Sequence, residues 1–154
     1  MALAVALSAI ALSTRPEIVA VRYIAAFNRH DGATVCSLFT DALRAKFDRA
    51  YEPWHLNCAQ VVTARFGYAE ESGQPVWRHA RILRIEHVTS AAGRARVEFR
   101  VHHTFEERRD DTTFVDKLCL VSVAGRWRIP VPSESFYLAQ GGLPPPDTKL
   151  CGSA

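Results

Sequence analysis

Long apolar runs, a large charge excess of one sign and the common catalytic and nucleotide-binding signatures are all missing from this 154-residue chain. The apolar stretch at residues 2–12 is interrupted only by Ser8. It falls short of the roughly 20 residues that cross a bilayer as a helix. It resembles the hydrophobic part of a signal peptide but has no basic residues before it. It therefore reads either as a truncated export or anchor signal, the one route to a membrane, or as an apolar helix packed on the domain. Sixteen acidic residues offset 19 basic ones and leave a net charge of +3, which does not supply the dense positive field of a nucleic-acid binder. No GxxxxGK[ST], GxSxG, HExxH or GxGxxG occurs, so nucleotide enzymes and the familiar hydrolases have no support. The cysteines at 36, 58, 119 and 151 form no CxxC. Zinc and thioredoxin chemistry are thereby poorly supported, while two disulfides are feasible, a pattern of compartments outside the cytoplasm. The six histidines show no metal-ligand spacing, and no metal or cofactor is called for.

What is present is enough apolar residue, 48% of the chain, for one core. The division is an apolar segment at 1–13, a domain at 14–137 and a tail at 138–154. Thr14, Arg15, Pro16 and Glu17 make a capping box, and Ala20, Tyr23, Ile24 and Phe27 recur at helical spacing, predicting a helix over 15–29. His30, Asp31 and Gly32 break it, and Asp31 is placed to cap a second helix with Val35, Leu38 and Phe39 on one face. Residues 43–50 continue helically. Pro53 can start a further helix whose Cys58, Val61, Val62 and Phe66 share a side. The chain turns polar at 67–74, and beyond it the period becomes two. Strands are predicted at 80–88, 94–106, 112–123 and 126–131, with turns at 91–93, 109–110 and 124–125. The tail, with Gly141, Gly142 and Pro144, Pro145 and Pro146, reads as loop.

Helices followed by a curved antiparallel sheet define an α+β fold. The helix broken at "FNRHDGATVCSLF" and the closing hairpin "LVSVAGRWRI" resemble the NTF2-like superfamily over residues 15–137. That resemblance implies a cone-shaped domain whose helices and concave sheet enclose a pocket, lined here by Tyr23, Phe27, Leu83, Ile85, Phe99, Val101, Leu118, Leu120 and Ile129. It also implies a range of roles, from isomerases, dehydratases and epoxide hydrolases to transport adaptors and noncatalytic secreted domains, and homodimers formed through the sheet. Cys36 and Cys58, on successive helices, look like the cysteine pair of exported bacterial members.

The alternation in 94–106 puts Ala95, Val97, Phe99, Val101, His103 and Phe105 on one face. A tight hairpin at 109–110 pairs Phe105 with Phe114, His103 with Asp116, Val101 with Leu118 and Phe99 with Leu120. The hairpin at 124–125 aligns Leu120 with Ile129 and Leu118 with Val131. A three-residue turn ending at Gly93 sets Ile85 opposite Phe99, Leu83 opposite Val101 and Arg81 opposite His103. One row then reads Arg81, His103, Asp116 and Ser133. A histidine oriented by an aspartate at the polar end of a cavity is a candidate acid or base, and the same row also suits a solvated ionic rim. His87, at the other end of that face, carries the same two readings.

The arginine-rich stretch at 78–109, with Glu86, Glu98, Glu106 and Glu107, reads as a mixed, solvated outer face. Trp54, Trp77 and Trp127 read as core anchors. Val115, Cys119, Val121 and Val123 project from the outer face of the third strand and need cover. The tail or a second subunit would supply it, and a Cys119–Cys151 bond would staple the tail.

Three functions follow. The first is an exported noncatalytic domain that binds a small apolar ligand or a protein partner. The second is a small-molecule isomerase, dehydratase or cyclase using His103 and Asp116. The third is an assembly module of a cell-envelope complex. An open pocket above about 300 Å³ would favour the enzyme and a filled cone an interaction role.

Overall fold

A computed structural model describes residues 15–71, 79–104 and 112–139. Helix α1 (Pro16–Asn28) starts on a proline whose fixed φ suits the first turn. Its N-cap is Arg15, which makes no side-chain cap bond; the expected capping box falls on Thr14, outside the described residues. Ala20, Tyr23, Ala26 and Phe27 form its buried stripe. The helix ends where His30 turns left-handed at φ 57° and the Asp31 amide donates back to the Ala26 carbonyl at 2.9 Å, a closure that satisfies a terminal carbonyl.

Asp31 caps helix α2 (Gly32–Ser37) as expected, accepting from the Thr34 amide at 2.9 Å. Thr40 caps helix α3 (Asp41–Tyr51) in the same way. Pro53 does not open a further helix. It lies in a single 3-10 turn (Glu52–Trp54) that His55 stops at φ 55°. Helix α4 (Cys58–Glu71) begins instead at a box in which Asn57 and Gln60 each accept the other's amide at 3.0 Å. Gly32 is where α2 meets α4, because a Cβ there would collide with the backbone of Thr63. Beside that close approach Cys36 and Cys58 form a disulfide, with Cα atoms 6.1 Å apart.

The four described strands form one antiparallel sheet in chain order: β1 (His79–Ala91), β2 (Arg94–Thr104), β3 (Thr112–Val123) and β4 (Arg126–Arg128). A short helix, α5 (Glu134–Ala139), follows. The β3–β4 turn is the expected one. Ala124 and Gly125 are both left-handed, and Ser122 pairs with Trp127, as in a two-residue hairpin whose twist matches its strands.

The other two registers differ from expectation. The β1–β2 turn uses two residues, Ala92 and Gly93 at φ 49° and 73°, instead of three. Irregularities between Ile82 and Arg84 and between Ile85 and His87 then shift the pairing. Ile85 faces Phe99 as expected, but Val101 faces Ile82, and Arg81 faces His102. The bulges redirect the side chains, so Leu83 is 52% exposed and His87 is exposed opposite Glu98. Between β2 and β3 the pairing is displaced by four residues. Phe99 faces Asp116 and His103 faces Thr112. A slip of four keeps every side chain on its face, so the apolar alternation accepts both registers. The observed one sets Val97 against Leu118 and Ala95 against Leu120.

The helices cover this inner face. Tyr23, Phe27, Phe39, Phe99, Val101, Leu118, Ile129 and Phe136 are all fully buried in one core cluster. Phe136 of α5 meets Phe39 edge-on with ring centroids 5.7 Å apart, which ties the last described helix to the first half of the chain.

Candidate functional site

The expected row does not assemble. Asp116 lies opposite Phe99 in the middle of β3, while His103 is four positions further along β2 and its side chain lies outside those described. Arg81 is exposed and pairs with His102, not His103. A His103–Asp116 dyad therefore has no register to hold it. The tight turn at 109–110 that would have created it falls outside the described residues.

Asp116 instead sits at the centre of a different constellation. It is 4% exposed in an otherwise apolar row, and a buried carboxylate needs several donors to offset its lost hydration. It has them. The amides of Lys117 and Glu134 donate to Oδ1 at 2.6 and 3.3 Å. The amide of Ser135 donates to Oδ2 at 2.7 Å, and the Ser135 hydroxyl donates to the same oxygen. Glu134 and Ser135 open α5, so the carboxylate closes the first turn of that helix from a neighbouring strand, where the peptide dipoles favour negative charge.

The bonds continue inward. The Ser135 hydroxyl oxygen lies 3.1 Å from that of Ser133, and Ser133 lies 2.9 Å from the Tyr23 hydroxyl. An ionised Asp116 can only accept, so Ser135 spends its proton there. Ser133 must then donate to Ser135, and Tyr23 to Ser133. Burial pushes the Tyr23 phenol above its ordinary value, which keeps the proton this chain needs. Ser133 also accepts from the Phe136 amide at 3.4 Å, a cap for α5. Every hydroxyl proton in the chain is thus committed, and Tyr23, Ser133 and Ser135 are at most 1% exposed. This arrangement fastens α5 and α1 to the sheet. It holds no nucleophile next to a free base.

Ser133 is in the expected row, but Ser135 and the Tyr23 hydroxyl were missed. The available signal was "PSES" at 132–135, a proline, an N-cap serine and an acidic first turn.

Of the nine residues expected to line a pocket, Tyr23, Phe27, Phe99, Val101, Leu118, Leu120 and Ile129 are no more than 1% exposed. A wall that touched a water-sized space would carry accessible surface. Ile85 is partly buried against the same core, and Leu83 faces outward.

Hollows do occur on the helical side. One of about 440 Å³ is lined by residues including Asp48, Arg49, Glu52 and His55. Another of about 440 Å³ runs over the Cys36–Cys58 bond. Trp54 is 66% exposed, beside Tyr51 at 5.9 Å between ring centroids, and so is no core anchor. Trp127 is partly buried against the core, and Trp77 lies outside the described residues. Among the described residues no three His, Cys, Asp or Glu side chains gather as a metal site, and no helix is long and apolar enough to cross a membrane.

No protein-family model matches the chain, and no curated protein matches it. Among solved structures it is similar to a SEC-C motif containing protein from Rhodopseudomonas palustris. The two share 19% identity over 79% of each chain with a TM-score of 0.49.

Proposed function

We propose that this chain is an exported, noncatalytic domain of NTF2-like shape that works by binding a protein partner through its surface. One observation carries the reading: the inner face of the sheet is filled. The side chains suited to line a ligand pocket pack against one another, and the buried carboxylate is occupied in holding α5. A small apolar ligand would have to displace that core, at a cost of several kcal/mol. The Cys36–Cys58 bond supports export, because disulfides persist where the surroundings are oxidising. The exposed Trp54, beside Tyr51, suits an interface, where tryptophan is enriched among the residues that dominate binding.

Two measurements test the reading. In a thermal titration of the full chain, laurate leaves Tm unchanged, since a ligand raises stability only by binding the folded state. A saturable rise that disappears in Phe99→Trp would place a ligand inside the cone and overturn the proposal. In intact cells of the native host, alkylation before lysis leaves Cys36 and Cys58 unmodified. Alkylation of both would overturn export.

A further inference from the structure

The outer face of the sheet is less evenly mixed in charge than the arginine-rich stretch of sequence suggests. Residues paired across neighbouring strands share a face, so the register sorts the charges. On the outer side stand the five arginines of β1 and β2, Lys117 of β3 and the two arginines of β4, against two carboxylates, Glu86 and Glu98. The whole chain has 19 basic and 16 acidic residues, so the rest of it is acidic on balance, and the positive charge is gathered on one face. Both outer carboxylates are engaged, Glu86 by Arg84 and Arg100 and Glu98 by Arg96. The unmatched charge collects at the end of the sheet nearest the tight turns. Arg94 and Arg128 face Val121 from either side, roughly 10 Å apart across β3. Arg126 faces Val123, which is 50% exposed. Arg94 and Arg126 are exposed and make no ion pair among the described residues. Arg128 donates to the Ser37 carbonyl at 2.9 Å, a contact that orients its guanidinium without neutralising it.

We propose, resting on the reading of this chain as a protein-binding domain, that this end of the outer face docks an acidic segment of the partner, with carboxylates on Arg94 and Arg126 and an aliphatic side chain against Val121 and Val123. Guanidinium forks match carboxylates in geometry as well as in charge. The hold of Arg84 and Arg100 on Glu86 is the same contact made within the chain. Arginines around an exposed aliphatic centre combine electrostatic steering with a small apolar contact that fixes how the segment lies. An anionic membrane fits this face less well. No outer position of the four strands carries Phe, Tyr or Trp, so the rings that anchor at a lipid interface are missing from it, and Glu86 and Glu98 would be pressed against lipid phosphates. A second copy is the wrong occupant, contrary to a homodimer formed through the sheet. A two-fold contact would set this face against itself, arginine against arginine.

The test is fluorescence anisotropy of a capped, fluorescein-labelled peptide of three glutamates, two leucines and three glutamates, titrated with the full chain at moderate ionic strength, where exposed charges act over only about 10 Å. Saturable binding is expected, and Arg94→Glu with Arg126→Glu is expected to weaken it about tenfold. Arg22→Glu with Lys46→Glu makes the same charge change at exposed positions of α1 and α3 and is expected to leave the affinity nearly unchanged. A peptide with serines in place of the leucines is expected to bind several-fold more weakly. Should the charge reversal fail to fold, Arg94→Gln with Arg126→Gln removes both charges and is expected to act in the same direction. No saturable binding, an equal loss in the two charge-matched variants, or equal affinity for the serine peptide would each overturn the proposal. Sedimentation with phosphatidylglycerol vesicles that the peptide does not displace and that Arg94→Glu with Arg126→Glu abolishes would assign the face to lipid and overturn it too. Each of these failures leaves the wider reading standing, since laurate binding inside the core, which alone bears on the filled face, does not depend on Arg94 or Arg126.

Discussion

On the inner face of the sheet one carboxylate, Asp116, lies between apolar neighbours with three amides and a hydroxyl on its two oxygens. On the outer face of the same sheet Glu86 lies between Arg84 and Arg100 with water around it, and Arg96 pairs with Glu98. Alternate residues of neighbouring strands thus handle charge in opposite ways. Inside, removal from water is expensive and fixed hydrogen bonds must repay it, so the group is tied to one geometry. Outside, water screens the pairs and each contributes little. Local ion-pair density is therefore a poor guide to what holds this molecule together, and the acid that is buried among the described residues, Asp116, is a good one.

The largest effect should come from the apolar wall around that acid. Phe99→Ala empties a fully buried site and is expected to cost about 3–5 kcal/mol in urea unfolding. A loss below 1 kcal/mol would mean that the inner face is loosely packed and that the contrast between the faces is weaker than described.

A smaller effect follows at the far end of the hydroxyl chain. Tyr23→Phe removes one of the two groups that donate to the Ser133 hydroxyl and should cost about 1 kcal/mol. It also sharpens the comparison through pH. Because the folded phenol holds its proton above the ordinary value of 10.0, the unfolded chain loses a proton first. Stability therefore falls as pH rises past about 10, and Tyr23→Phe should flatten part of that alkaline limb. An unchanged limb would detach Tyr23 from the network.

The smallest effect belongs to the outer face. Hydrogen bonds from Arg100 and Arg84 hold the Glu86 carboxyl below its ordinary value of 4.5, so its contribution is present above that pH and fades as pH falls through the lower folded value. Glu86→Gln should leave the urea midpoint at pH 7 nearly unchanged and slightly flatten the acid limb. A large loss at pH 7 would break the contrast outright.

How far the sequence told this story varies with the kind of signal. The Asp31 cap was legible because a short acceptor before a helical pattern has a local cause. The Ala124–Gly125 hairpin was legible because a two-residue turn sets its own register. The β2–β3 register was not, since apolar alternation fixes the face of Phe99 and Asp116 but not which residue each meets, and a four-residue slip violates no local rule. That slip dissolved the His103–Asp116 pairing. The bulges that turned Leu83 outward left no mark in the alternation of 80–88. The filled inner face was equally unreadable, because the same apolar residues line a pocket or pack a core depending on a few ångströms of helix placement. Cys36 and Cys58, expected on successive helices to pair, do form a bond.

The central claim is that Asp116 is a fastening and not a catalytic group, and equilibrium unfolding of Asp116→Asn tests it most directly. An amide side chain keeps the shape but offers one acceptor oxygen where two are used, so an amide of Lys117 or of α5 loses its partner whichever way it turns. The account predicts a loss of about 2–3 kcal/mol. Unchanged or increased stability, the usual result of removing a buried group kept for chemistry, would contradict it.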